Sequence, residues 1–170
     1  MTFKEKINHV LPRKLLTASI SGALFAVLLG IFPSSFWGEV NSIKEYLLGF
    51  TASVPLYLIY SFPVIFVYGT ATSIISDFLS GIITKNRLKQ LEPYLSLVFH
   101  LLFGSILQWV SLGAAILYFI IDRILRKKKS RYKWSKAFMG LAIPLLIWIL
   151  FMGIIWVMDF FKDGANYIVY

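Results

Sequence analysis

Two side chains in the apolar middle of this sequence are suited to exchange a proton, Asp77 and His100. Asp77 lies in GTATSIISDFLSG, from Gly69 to Gly81, and is the only charge among the 39 residues from Tyr46 to Thr84. A carboxylate at the centre of a bilayer costs roughly 2.5 to 3.5 kcal/mol on insertion scales and usually turns inward to a partner. His100 shares the chain with only one other histidine, His9. Imidazole titrates near neutral pH, so a paired acid and imidazole at depth could lock two helices in register or serve as a protonatable site for ion coupling.

Other chemistries have less to work with. Ser73 and Ser76 beside Asp77 and His100 supply the groups of a nucleophilic site, but no G-x-S-x-G elbow is present and helix serines commonly bond their own backbone. No catalytic residue is therefore assigned, and the protein is expected not to be an enzyme. The chain has no cysteine, which removes disulfides, thiolate nucleophiles and cysteine-held metals together. Without an H-E-x-x-H spacing, neither a metal nor a cofactor is expected.

Helical spacing puts the two groups on small, polar faces. Gly69, Ser73, Asp77 and Gly81 recur every four residues, and Ser96, His100, Gly104 and Gln108 do the same further on. Two helices joined by a short loop are antiparallel neighbours. Residues equidistant from the point between Leu88 and Lys89 should then lie level, which sets Asp77 against His100, Gly81 against Ser96, Ser73 against Gly104 and Gly69 against Gln108. The spacing predicts direct Asp77–His100 contact.

The elements that must carry these faces follow from composition: 170 residues, 58% hydrophobic and 15% charged, where soluble domains are about a quarter charged. The apolar runs are continuous and reach the roughly 18 residues that cross the hydrocarbon as a helix. The expected fold class is an all-α integral membrane helical bundle in one domain, 1–170. It has four main transmembrane helices, over 15–33, 46–84, 94–121 and 137–158, and a basic cytoplasmic loop over 122–136. At about 1.5 Å per residue, the segment 46–84 is far longer than the bilayer core, so it should kink or break near Pro55 and Pro63. Counting its first part as a separate crossing gives five spans. In the first helix Ala18, Gly22, Ala26 and Gly30 form a stripe that lets another helix approach closely.

Cytoplasmic loops of membrane proteins are enriched in Lys and Arg. Four spans leave the basic residues almost evenly divided, while five place twelve of them inside against five outside. Eight of the fourteen residues from Arg123 to Lys136 are basic (Arg123, Arg126, Lys127, Lys128, Lys129, Arg131, Lys133 and Lys136), and they are expected to contact anionic lipid headgroups. The partners expected are the bilayer, its headgroups, and the chain itself or another membrane protein, with no nucleic acid.

YGTATSIISDFLS (Tyr68 to Ser80), HLLFG (His100 to Gly104) and LYFIIDRILRKKK (Leu117 to Lys129) resemble segments of an uncharacterised family of small multi-pass membrane proteins of bacilli and related bacteria. The resemblance covers the middle third to half of the chain and implies a bacterial plasma membrane and no known activity. The small-residue stripes favour a non-enzymatic bundle acting as an accessory, immunity-type or interaction factor. The alternative is a small oligomeric transporter or channel subunit using Asp77 and His100 as a protonatable pair.

Overall fold

A long apolar run without alternation satisfies its backbone in lipid only as a helix. The computed structural model describes positions 3–32, 41–84, 90–106, 109–128 and 132–167, with side chains from 10 to 162. Its regular elements are α1 (Phe3–Ile31), α2 (Ile43–Val64), a π-helical turn (Ile65–Gly69), α3 (Thr70–Thr84), α4 (Glu92–Ser105), α5 (Trp109–Lys127) and α6 (Trp134–Tyr167). Among the described residues, three stretches are long and apolar enough to cross a membrane: Val10–Ile31, Ile43–Thr84 and Trp134–Lys162.

Helix α1 sits at the centre. Ala18, Gly22, Ala26 and Gly30 are all buried, and α2 crosses them so closely that a Cβ on Gly22 would stand 2.8 Å from Phe62 and one on Gly30 2.6 Å from Val54. Another face of α1 meets α6, where a Cβ on Gly140 would stand 2.5 Å from Leu16. A third packs Ala18 and Phe25 with Ile65, Ala114 and Tyr118. Small residues lead at these crossings because, in lipid, helices gain by close van der Waals contact rather than by escape from water.

Ser42 caps α2 by accepting from the Glu45 amide, and Glu45 accepts in turn from the Asn41 amide. The Tyr46 hydroxyl reaches back to the Ile31 carbonyl at the end of α1. The expected break near 55–63 does not occur: α2 runs through Pro55 and Pro63, and the irregularity is the π turn immediately after Pro63. Proline removes one backbone donor and crowds the turn before it, whereas the wider turn lies after it, from Ile65 to Gly69.

The largest departure from expectation concerns residues 94–121. In place of one spanning helix there are two, α4 and α5, folded back on each other. Gly104 faces Ala115, His100 stacks edge-on against Phe119 at 5.5 Å, and Glu92 pairs with Arg126 at 3.5 Å, so the partners step in opposite directions along an antiparallel hairpin. A Cβ on Gly104 would stand 2.8 Å from the Ala115 Cβ, and the Gly104 carbonyl at the helix end accepts from both the Ile106 amide and the Ser111 hydroxyl. At about 1.5 Å per residue, α4 is roughly 21 Å long, short of a 30 Å hydrocarbon core. The basic stretch 122–136 is mostly helical too, since α5 continues to Lys127 and α6 begins at Trp134.

The chain thus has two ends. One gathers the start of α1, the end of α3, the open mouth of the α4–α5 hairpin and the start of α6. The other gathers the end of α1, the start of α2 and the end of α6.

Candidate functional site

Four helices deliver polar side chains to one buried point near the first of these ends. Along α3, Ser73, Ser76 and Ser80 lie on one fully buried face beside Asp77. On α4, Ser96, His100 and Gly104 line a buried face at four-residue steps. From α5 come Tyr118 and Asp122, also four apart and buried. Helix α1 contributes Arg13 and Lys14, the latter wholly buried.

Lys14 is the centre. Its ammonium lies 2.5 Å from Ser73 Oγ, 2.7 Å from Asp77 Oδ2 and 3.0 Å from Asp122 Oδ2. Arg13 Nε stands 3.5 Å from the other oxygen of Asp122. The Tyr118 hydroxyl donates to the Lys14 carbonyl at 2.9 Å. One lysine therefore ties α1 to α3 and to the far arm of the hairpin.

The expected Asp77–His100 contact is replaced by a bridge. Asp77 Oδ1 accepts from the Ser96 hydroxyl at 2.9 Å, while His100 Nδ1 lies 2.7 Å from the Ser96 carbonyl. Asp77 turns to Lys14 because a fixed full charge compensates a buried carboxylate better than a neutral imidazole one helix away. His100 instead closes onto the carbonyl four residues back on its own helix. A carbonyl only accepts, so Nδ1 carries the hydrogen, and in the neutral ring Nε2 keeps its lone pair.

That Nε2 is buried without a hydrogen-bond partner. His100 lines a cavity of about 50 Å³ together with Tyr68, Gly69, Thr72, Ser111 and Tyr118. The cavity lies where the π turn passes the hairpin, and Tyr68 pins that junction by donating to the Phe103 carbonyl at 2.8 Å. About one probe sphere of 10 to 15 Å³ suffices for a water, so this space is large enough for a few.

Of the other expected seam residues, Gly69, Ser73, Ser96 and Gly104 belong to this region. Gly81 does not: it is exposed and a Cβ there would meet nothing within 4 Å. Gln108 lies outside the described residues, as do Lys129 and Arg131 of the basic stretch. Of the remaining basic residues, Lys127, Lys128, Lys133 and Lys136 are exposed, whereas Arg123 and Arg126 turn partly toward Asp77.

Lys14 is absent from the polar faces that spacing along the chain picks out, yet it makes the closest ion pairs of the site. The signal was there: two carboxylates, Asp77 and Asp122, at helical faces require cations, and Lys14 directly precedes the apolar run of α1. Among the described residues, no group of three His, Cys, Asp or Glu side chains converges as a metal site would require. No protein-family model, no curated protein and no solved structure matches the chain.

Proposed function

We propose that this protein is a multi-pass protein of a bacterial plasma membrane that crosses three times, inserts α4–α5 as a re-entrant hairpin, and handles protons or a small ion along its buried polar seam. The charge distribution supports the topology. With the hairpin entering and leaving on one side, four Lys and Arg of the tail, three between α3 and α4, and eight from Arg123 to Lys136 share the cytoplasmic face, leaving only Lys44 and Lys162 opposite. No straight four- or five-span arrangement separates them so far, and the positive-inside rule favours the separation.

The observation that carries the ion-handling reading is the orphaned His100 Nε2 at the cavity between the π turn and the hairpin. Non-helical backbone at membrane depth is tolerated where it is buried in protein or lines a watered cavity. π-helical turns recur at functional sites. An imidazole lone pair there is a proton acceptor, with Lys14, Asp77 and Asp122 within electrostatic reach. The interaction-factor reading loses part of its support, because Gly22 and Gly30 of the α1 stripe are covered by the chain's own α2.

The test is flux in reconstituted vesicles carrying an internal pH dye, under imposed proton, sodium and potassium gradients. Wild type should dissipate one of these gradients, and His100→Phe, shown to be folded by its elution and helix content, should do so at least about tenfold more slowly. Wild-type rates equal to those of protein-free vesicles under every gradient would remove the proposal.

A further inference from the structure

The cytoplasmic edge of the ion cluster carries more cations than carboxylates. Arg13, Lys14, Arg123 and Arg126 face Asp77, Asp122 and Glu92, which leaves one positive charge in excess. Lys14 and Ser96 hold the close contacts to Asp77, whose Oδ2 pairs with Lys14 at 2.7 Å and whose Oδ1 accepts from Ser96 at 2.9 Å. The two arginines of α5 stand further off, Arg123 Nη2 at 3.8 Å from Asp77, and Arg126 at 4.0 Å from Asp77 and 3.5 Å from Glu92. These separations lie beyond ordinary hydrogen-bond length. Arg123 Nε and Nη2 have no hydrogen-bond partner, and the guanidinium lies 4.9 Å from the centroid of the Phe119 ring.

A guanidinium presents a planar fork of donors that matches carboxylate and phosphate oxygens two at a time. Here the Arg123 side chain, 20% exposed, is held beside an aromatic face with its buried Nε and Nη2 unmet, and the mouth of the cluster is open at Arg126, 39% exposed. Along the same helix Ile116, Ile120 and Ile124 are exposed at four-residue steps, an apolar track running from the arginines toward the hairpin tip. We propose that the Arg123–Arg126 edge binds a phosphate-bearing anion, and that the track beside it makes this the headgroup of an anionic phospholipid, whose acyl chain lies along α5. The site is local to two arginines, unlike the diffuse attraction of the whole basic stretch, and it does not depend on ion flux.

Thermal unfolding of the full chain in neutral detergent tests this, with added phosphatidylglycerol, phosphatidylcholine, oleate or inorganic phosphate. Phosphatidylglycerol should stabilise the protein beyond phosphatidylcholine and oleate. Arg123→Gln with Arg126→Gln should weaken its apparent affinity about tenfold or more, as expected for lost charge-assisted hydrogen bonds. Lys127→Gln with Lys128→Gln removes equal charge and should change it less than about threefold. Should the glutamine pair fail to fold, Arg123→Lys with Arg126→Lys keeps the charge, loses the fork and should still weaken binding. Stabilisation by inorganic phosphate as strong as by the lipid would support the phosphate site and assign it to a soluble ligand. Equal losses in the arginine and lysine pairs, or an effect of oleate matching that of phosphatidylglycerol, would overturn the proposal.

Discussion

Replacing Lys14 by Met would remove the one charge that two buried carboxylates share. Removing one partner of a buried ion pair costs about 3 to 5 kcal/mol, because the survivor is left charged and unpaired in a poor solvent. Arg13 at 3.5 Å from Asp122 and Arg123 at 3.8 Å from Asp77 remain as partial substitutes, which favours the lower end, about 3 kcal/mol. That is roughly two orders of magnitude in the unfolding equilibrium. The assay is reversible unfolding in mixed micelles followed by tryptophan fluorescence and circular dichroism. Adding Asp77→Asn to Lys14→Met removes one stranded carboxylate while Asp122 keeps Arg13 at 3.5 Å, and should recover at least about 1 kcal/mol. A double-mutant cycle on Lys14 and Asp77 should give a coupling of at least about 1 kcal/mol, whereas the cycle on Asp77 and His100, joined only through Ser96, should stay under about 0.5 kcal/mol. A Lys14→Met cost below about 1 kcal/mol, or a larger coupling for Asp77 with His100 than with Lys14, would refute the assignment of Lys14 as the centre of the seam.

Gly104→Val should open the hairpin, since its Cβ would stand 2.8 Å from that of Ala115; spin labels at Leu102 and Ile116 should move apart, with a stability loss of about 1 to 3 kcal/mol. Gly30→Ile should cost a similar amount by displacing Val54, while Gly81→Ala, which meets nothing, should be neutral or stabilise by up to about 1 kcal/mol; denaturant midpoints of the two variants decide this. Single cysteines at Gln90 and Tyr132 should react with an impermeant maleimide from the same side of the membrane and one at Asn41 from the other. Opposite labelling of Gln90 and Tyr132 would instead mean that residues 92–127 cross.

Local pattern was enough to determine the solvent of this protein, its helical class, the crossing stripe of α1 and the two polar faces carrying Asp77 and His100. Those features are properties of spacing along single helices, and a helix obeys its own period wherever it packs. What pattern could not determine was which faces meet. The apolar run from Tyr94 to Ile121 contains no proline, and its interruption after Gly104 depends on Ala115 and Ser111 returning to cover a glycine surface and a carbonyl at the helix end. That is a contact between segments, invisible within either. Lys14 shows the same limit from another side. At the edge of an apolar run a lysine reads as a headgroup anchor, and only the meeting of α1 with α3 and α5 brings two carboxylates within 3.0 Å of its ammonium. The partner of a buried charge is chosen by whatever opposite charge the fold carries to it, so the sequence announced that Asp77 needed one, and the packing of four helices decided that it would be Lys14.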